Sequence, residues 1–234
     1  MIRRKKTESQ PAKPAPTLAR LPFPAYIFDF DGVILDAVSV RTKAFLHIFR
    51  DHPKKALDEF SQYHLANGGV SRFVKIRYFF EQILKQELDK ETEKKLLAEF
   101  GLFVRNKLYN QDLLIADTIM FIEHLPPNLS LFIASGSEQT ELRSLCEYLG
   151  IASFFTKIVG SPTPKAQNIA ALLQEFFLTP SDVVFIGDSR GDYEAAQANN
   201  VAFYGYNNLD LMGIGDGYIE QFIPLTIKWK KTQV

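Results

Sequence analysis

The stretch Tyr26-Ile27-Phe28-Asp29-Phe30-Asp31-Gly32-Val33-Ile34-Leu35-Asp36 reads as a buried strand that runs out into two carboxylates and a glycine turn. Side chains alternate along a strand, so Asp29 and Asp31 are expected to project from the same side at its end, with Phe28 and Phe30 facing the other way. Two acids then share one small site. At about 4 Å and an effective dielectric of about 20, like charges repel by about 4 kcal/mol, so the pair needs a shared proton or a bound cation. A metal, a proton-transfer role, or both are implied.

Beyond residue 110 the chain alternates short apolar runs with helical stretches. Candidate strands are Ala25 to Asp29, Leu129 to Ala134, Lys157 to Gly160, Val183 to Gly187 and Val201 to Tyr204, mostly continuous apolar runs as in a parallel sheet covered on both faces. Helices are predicted over Glu138 to Leu149, Ala166 to Phe177 and Tyr193 to Ala198, each able to cross back over the sheet. The pattern predicts a doubly wound α/β domain whose ligands sit beyond the carboxyl ends of the strands.

One connection breaks this rhythm. About 100 residues separate the first strand from the second, far more than the dozen or so that a crossover needs. The apolar spacings within it are helical: Val40, Ala44, Phe45 and Ile48; Phe73, Ile76, Phe80 and Ile83; Leu96, Leu97, Phe100, Val104 and Leu108. Residues 38 to 112 are therefore expected to form an inserted helical bundle, broken at Asn67-Gly68-Gly69. Residues 25 to 37 and 113 to 234 would make the α/β core.

Charge is divided unevenly. Residues 1 to 24 carry six basic groups (Arg3, Arg4, Lys5, Lys6, Lys13 and Arg20) against Glu8 and read as a disordered, Pro-interrupted arm without the apolar segment of a secretory signal. The remaining body holds 21 basic and 26 acidic residues, a net charge of about −5, which argues against a nucleic-acid-binding surface on it. A single cysteine, Cys146, excludes an internal disulfide and, among Leu142, Leu145 and Leu149, is expected in a helix core. No apolar run approaches the roughly 18 residues of a membrane helix, so a cytoplasmic protein is expected. The histidines, His47, His52, His64 and His124, lack metal-ligand spacing and are expected at the surface or partly buried.

Three further polar clusters close later strands. Ser135-Gly136-Ser137 ends the second, a good place for an anion to meet backbone N–H groups. Lys165 opens a helix just past the third, and Gly187-Asp188-Ser189-Arg190-Gly191-Asp192 ends the fourth with two more acids. Singly each is weak, since a Ser-Gly is commonly a turn and Gly-Asp-Ser a helix N-cap. Together they bring a hydroxyl, a lysine and acids to the end of the sheet that carries Asp29 and Asp31.

In this arrangement the chain, over roughly residues 25 to 206, resembles the haloacid dehalogenase superfamily. The family's D-x-D-G-[VT] motif is matched by Asp29-Phe30-Asp31-Gly32-Val33, its Ser or Thr by Ser135, its lysine by Lys165, and its G-D-S-x-x-D motif by Gly187 to Asp192. The insert corresponds to the helical cap of phosphatases similar to phosphoglycolate phosphatase and β-phosphoglucomutase. The resemblance implies a phosphatase acting on a small phosphorylated metabolite, with Asp29 as nucleophile and Asp31 as general acid and base. It implies Mg²⁺ held by the Asp29 and Asp188 carboxylates and the Asp31 backbone carbonyl, a phosphoryl cradle of Ser135, Gly136 and Lys165, and Asp192 behind them. In one departure, the family's lysine is commonly followed by proline, whereas Lys165 is followed by Ala166 and Gln167.

Alternatives are a dehalogenase, which has no use for an acid at position 31 or a metal; a phosphomutase, which shares every core residue; and a binding protein, which would be expected to have lost one of them. D-x-D-G does not open a calcium loop, because Gly32 comes too early, and Gly213-Ile214-Gly215-Asp216-Gly217 is read as a loop. Within the cap, Gly68, Gly69, Arg72 and Lys75 are expected to face the substrate. Arg72 and Lys75 would suit a second anionic group, the alternative being a solvated charged helix face.

Overall fold

A computed structural model describes residues 23–222 of the chain. Its centre is a sheet of six parallel strands in the order β3-β2-β1-β4-β5-β6: β1 (Ala25–Phe28), β2 (Ser130–Glu138), β3 (Lys157–Ser161), β4 (Val183–Gly187), β5 (Ala202–Tyr206) and β6 (Gly217–Ile219). The doubly wound α/β expectation holds, with β1 flanked by β2 and β4. Every residue of β1 and β4 is buried, which is why these strands read as unbroken apolar runs. The short sixth strand was not among the expected ones. Its three residues, Gly-Tyr-Ile, carry almost no pattern, and Gly217, read as the end of a loop, opens it.

Between β1 and β2 the chain leaves the sheet for α1 (Val38–Ile48), α2 (Lys54–Ala66), α3 (Arg72–Tyr78, running on as a π-helical turn Phe79–Leu84) and α4 (Lys90–Leu108). It returns through α5 (Ala116–His124). The inserted helices pack on their own phenylalanines. Phe45 and Phe100 have ring centroids 4.6 Å apart and Phe49 stacks on Phe79 at 3.8 Å, contacts that add to the large area such rings bury. Asn67-Gly68-Gly69 falls between α2 and α3, where a break was expected.

The remaining helices are α6 (Gln139–Tyr148), α7 (Lys165–Glu175) and α8 (Arg190–Gln197), following β2, β3 and β4. Leu142, Leu145 and Cys146 form the buried stripe of α6. Helix α8 starts three residues before the expected Tyr193 because Ser189 and Asp192 cap each other reciprocally, satisfying backbone donors that would otherwise stay open. The basic arm predicted over residues 1 to 24 lies outside the described residues as far as position 22. Phe23 belongs to the packed body, buried edge-on against Tyr26 and Tyr204. Residues 223 to 234 of the expected core also lie outside the described residues. Among those described, no helix is long and apolar enough to cross a membrane.

Candidate active site

The carboxyl ends of β1, β2 and β4 and the cap loop between α2 and α3 enclose a cavity of about 610 Å³. Asp29, Asp31, Ser135, Gly136 and Asp188 line it, and so do the cap residues Gly68, Gly69, Arg72 and Lys75. Lys165 and Asp192 stand behind this lining. Strand β1 stops at Phe28, so strict alternation does not place Asp31 beside Asp29 as expected. Asp29 extends the ladder by donating its N–H to the Ile186 carbonyl, and a tight turn closed by Gly32 N–H to the Leu35 carbonyl then brings Asp31 to the same cavity. Gly32 has φ +85°, and a Cβ there would lie 2.0 Å from Asp188 Oδ2, so only glycine lets the turn meet that acid.

The acids are crowded. Asp29, Asp188 and Asp192 each bring a carboxylate oxygen within 4.8 Å of the others. Burial, then Asp192, pushes the Asp29 carboxyl up to about 7, with Lys165 acting against them. Burial, then Asp29 and Asp192, raises Asp188 well above the ordinary carboxylate range. Asp29 Oδ1 is buried in ion-pair contact with Lys165 Nζ at 2.9 Å, yet has no well-directed hydrogen bond. Asp192 differs: its Oδ2 accepts from Ser189 N–H (3.0 Å) and Ser189 Oγ–H (2.7 Å), and its Oδ1 pairs with Lys165. Asp192 is therefore saturated by the protein, while Asp29 and Asp188 keep oxygens that a hard cation would satisfy. The residues present thus fit a divalent metal.

Lys165 is the first residue of α7, directly after the N-cap residue Pro164, and Ala166 follows it, so the helix start delivers the ammonium with no proline behind it. Burial would pull its proton off, but Asp192 and Asp29 outweigh it and hold Lys165 charged. Ser135 Oγ accepts the Ser137 N–H at 3.1 Å. Gly136 lies directly under the cap loop, where an added Cβ would meet the Gly69 carbonyl oxygen at 2.2 Å.

Of the two readings of Arg72 and Lys75, the alternative of a solvated helix face does not hold, since both are buried against the cavity. Arg72 Nη1 donates to Glu141 Oε2 at 2.8 Å, and Arg41 Nη1 donates to Glu141 Oε1 at 2.7 Å. Burial pushes the Glu141 carboxyl up, but Arg41 and then Arg72 outweigh it and hold it below its ordinary range. Arg41 also engages Asp31, which accepts from Ser137 Oγ–H at 2.9 Å as well. His64, expected at the surface or partly buried, is buried within the cap, 2.9 Å from Lys75 Nζ.

Arg41, Ser137, Glu141 and His64 were not singled out from the sequence as site residues. A signal existed for two of them. Arg41 precedes Ala44, Phe45 and Ile48 by three, four and seven positions, which puts a charge on the buried stripe of α1. Glu141 precedes Leu145 by four on α6 in the same way. On the far wall Asn207 and Asn208 brace the site, donating to the Gly32 and Asp188 carbonyls at 3.0 and 2.8 Å.

Residues 26–206 match the family described as haloacid dehalogenase-like hydrolase. A phosphoglycolate phosphatase of Aliivibrio fischeri is 26% identical over 77% of this chain and 84% of its own. One of Colwellia psychrerythraea is 24% identical over the same shares, 77% and 84%. Among solved structures, a β-phosphoglucomutase of Clostridium difficile superposes with a TM-score of 0.74 at 16% identity, covering 90% of this chain and 96% of that one. The four motifs converge on one cavity in a fold shared with these proteins, and the family match spans most of the chain: it belongs to the haloacid dehalogenase-like hydrolases, as an enzyme of the phosphatase type.

Proposed function

We propose that this enzyme is a Mg²⁺-dependent phosphatase that hydrolyses a small phosphomonoester through an aspartyl-phosphate on Asp29. The observation that carries the reading is the buried Asp29 carboxylate at the end of β1, set between the Lys165 ammonium at 2.9 Å and the acid Asp188. Asp29 attacks phosphorus, the ester P–O bond breaks, and the leaving oxygen takes a proton from Asp31. Asp31, now a carboxylate, takes a proton from water. The resulting oxygen attacks the acyl-phosphate, releasing phosphate and restoring Asp29. Ser135, the Gly136 N–H and Lys165 hold the phosphoryl oxygens, and Asp192 fixes the lysine. Mg²⁺, held by the Asp29 and Asp188 carboxylates and the Asp31 backbone carbonyl, supplies positive charge to the phosphoryl group.

The chain would work in the cytoplasm on a phosphorylated metabolite, in line with its single buried cysteine. Four relatives carry the name phosphoglycolate phosphatase, which makes phosphoglycolate a first candidate. The test is a screen of phosphoglycolate, sugar phosphates and nucleotides, with Mg²⁺ and with chelator, using wild type and Asp29→Asn. Phosphate release that needs both the metal and Asp29 is the expected result; appreciable turnover with Asp29→Asn overturns the proposal. Phosphate passed to a second sugar position rather than to water would assign the phosphomutase alternative.

A further inference from the structure

We infer that Asn207 and Asn208 are positioning residues that hold the two turns of the cation site at the spacing Mg²⁺ requires, and so set its preference for Mg²⁺ over the larger Ca²⁺; this rests on the Mg²⁺-dependent reading above. Strand β5 lies beside β4 with Gly205 opposite Gly187, so the chain that leaves β5 passes the turn that leaves β4 and carries Asp188. Asn207 has φ +55°, in the left-handed region that asparagine enters more readily than most residues with a side chain. Two consecutive amides then reach two different turns. Asn207 Nδ2 donates to the Gly32 carbonyl at 3.0 Å, and Asn208 Nδ2 donates to the Asp188 carbonyl at 2.8 Å.

Both acceptors belong to the candidate cation site. The Asp188 carbonyl sits on a residue whose carboxylate would hold the metal, and the Gly32 carbonyl is one peptide beyond that of Asp31. The two turns also abut, since a Cβ on Gly32 would lie 2.0 Å from Asp188 Oδ2. Asp29, Asp188 and Asp192 bring carboxylate oxygens within 4.8 Å of one another, and like charges that close repel. The two amides tie both turns to a third element and so oppose their spreading. Asn208 is itself fixed: its Oδ1 accepts the Asp210 N–H at 3.1 Å and its backbone carbonyl accepts the Leu211 N–H at 3.0 Å. With Oδ1 committed, the amide cannot turn over, and Nδ2 stays on Asp188.

Neither amide carries a charge, so the pair adds nothing to the pull of the acids on a cation. What it contributes is position. Mg²⁺ demands short bonds in near-ideal octahedral geometry, whereas Ca²⁺ accepts more oxygens at longer and more variable distances. Loosening the two turns therefore costs Mg²⁺ more than Ca²⁺. Groups that orient a ligand from behind change metal affinity by about 10–100-fold.

The experiment follows the Tm of the metal-stripped full chain as MgCl₂ or CaCl₂ is added, which gives an apparent Kd for each ion. Asn208→Ser keeps an oxygen to cap the Asp210 N–H and removes the amide that reaches Asp188. Asn207→Gly removes the other amide and keeps the left-handed backbone without strain. Each variant is expected to raise the Kd for Mg²⁺ by roughly tenfold or more and that for Ca²⁺ by less than about threefold. A loss of equal size for the two ions, as a merely structural role would give, or no loss in either variant, overturns the inference and leaves the phosphatase reading intact. A wild-type Tm that does not rise with Mg²⁺ overturns the metal-dependent reading along with it. The variants remove separate hydrogen bonds, so if one fails to fold the other decides the matter.

Discussion

Arg41 on the first cap helix meets Asp31 of the core in a two-point contact, Nε 3.0 Å from Oδ2 and Nη2 3.3 Å from Oδ1. The same guanidinium reaches Glu141 on α6 and Ser137 at the carboxyl end of β2. A residue of the cap thereby sets the rotamer of the proposed general acid, and it does so only when the cap sits on the core.

Arg41→Met should accordingly lower turnover of an alkyl phosphate by roughly tenfold more than that of an aryl phosphate, whose leaving group needs little help from a proton. It also strips Asp31 and Glu141 of a partner. Asp31 is partly exposed, so the cost is about 2–3 kcal/mol rather than that of a fully buried pair, a Tm fall of roughly 5–10 °C for a chain of this size. Paired kinetics and a melting curve check both. Equal losses on the two substrates would mean that Arg41 does not act through Asp31.

Much of this site could be read from the chain because of where sheet chemistry puts functional groups. Asp29, Ser135, Lys165 and Asp188 each follow an apolar run, and the carboxyl ends of parallel strands converge on one crevice whatever the loops between them do. Arg41, Glu141 and His64 follow no such rule. They come from helices, where a charged residue is ordinarily solvated, and their partners lie as far as 100 positions away in the sequence. The roles of Arg72 and Lys75 were ambiguous for the same reason. Only the packed cap shows that Glu141 takes the arginine and that, among the described residues, no acid is in ion-pair contact with the lysine.

The crowding of acids predicts an inverted pH response for the metal-free protein. Burial, Asp192 and their neighbours raise Asp29 to about 7, and Asp188 is raised too, so the folded state binds more protons than the unfolded state between the ordinary carboxylate range and pH 7. Stability then falls as pH rises through that interval. Burial pushes His64 down to about 3 and Lys75 down to about 7, and both work in the opposite direction over this interval, so the acid pair is read as a difference between variants: with chelator present, the wild-type Tm should fall by several degrees relative to that of Asp29→Asn between pH 5 and 7.5. Added Mg²⁺ should raise the wild-type Tm, and more at pH 7.5 than at pH 5.5, because its ligands must lose their protons. Thermal scans of both proteins decide it; a difference that is flat or rising with chelator would count against the shared-acid site.

Both cap arginines share Glu141 of the core, 2.7 Å from Arg41 and 2.8 Å from Arg72; Arg41 keeps Asp31 as a second acid, and Arg72 has Glu138 at 3.9 Å. Glu141→Gln replaces the shared charge with a neutral acceptor, so it should lower stability by about 2–3 kcal/mol. Groups that share one partner do not act independently. A double-mutant cycle of Glu141→Gln with Arg72→Met should give a coupling energy of about 1–2 kcal/mol by denaturant unfolding. Additive losses would show that Arg72 does not depend on Glu141.

The cap loop touches the core most closely where Gly69 crosses Gly136. A Cβ on Gly136 would stand 2.2 Å from the Gly69 carbonyl oxygen and 2.9 Å from its carbon, and the obstacle is backbone, which has no side-chain torsion to turn away. Gly136→Ala must therefore push the loop, with Gly68, Arg72 and Lys75 behind it, off the phosphoryl end of the cavity. The core itself loses nothing by this change, since the same Cβ lies clear of other core atoms within 3.4 Å. The expected result is a fall in kcat/KM of roughly a hundredfold, as misplacement of about 1 Å can cause, with only a small change in Tm. Gly150→Ala is the contrast. Gly150 has a positive φ, +75°, which Gly136 does not, but nothing lies within 4 Å of its Cβ position. That variant should lose about 1 kcal/mol from backbone strain alone and keep wild-type kinetics. If Gly136→Ala instead retains full activity, the contact between the cap loop and Gly136 is not needed for turnover.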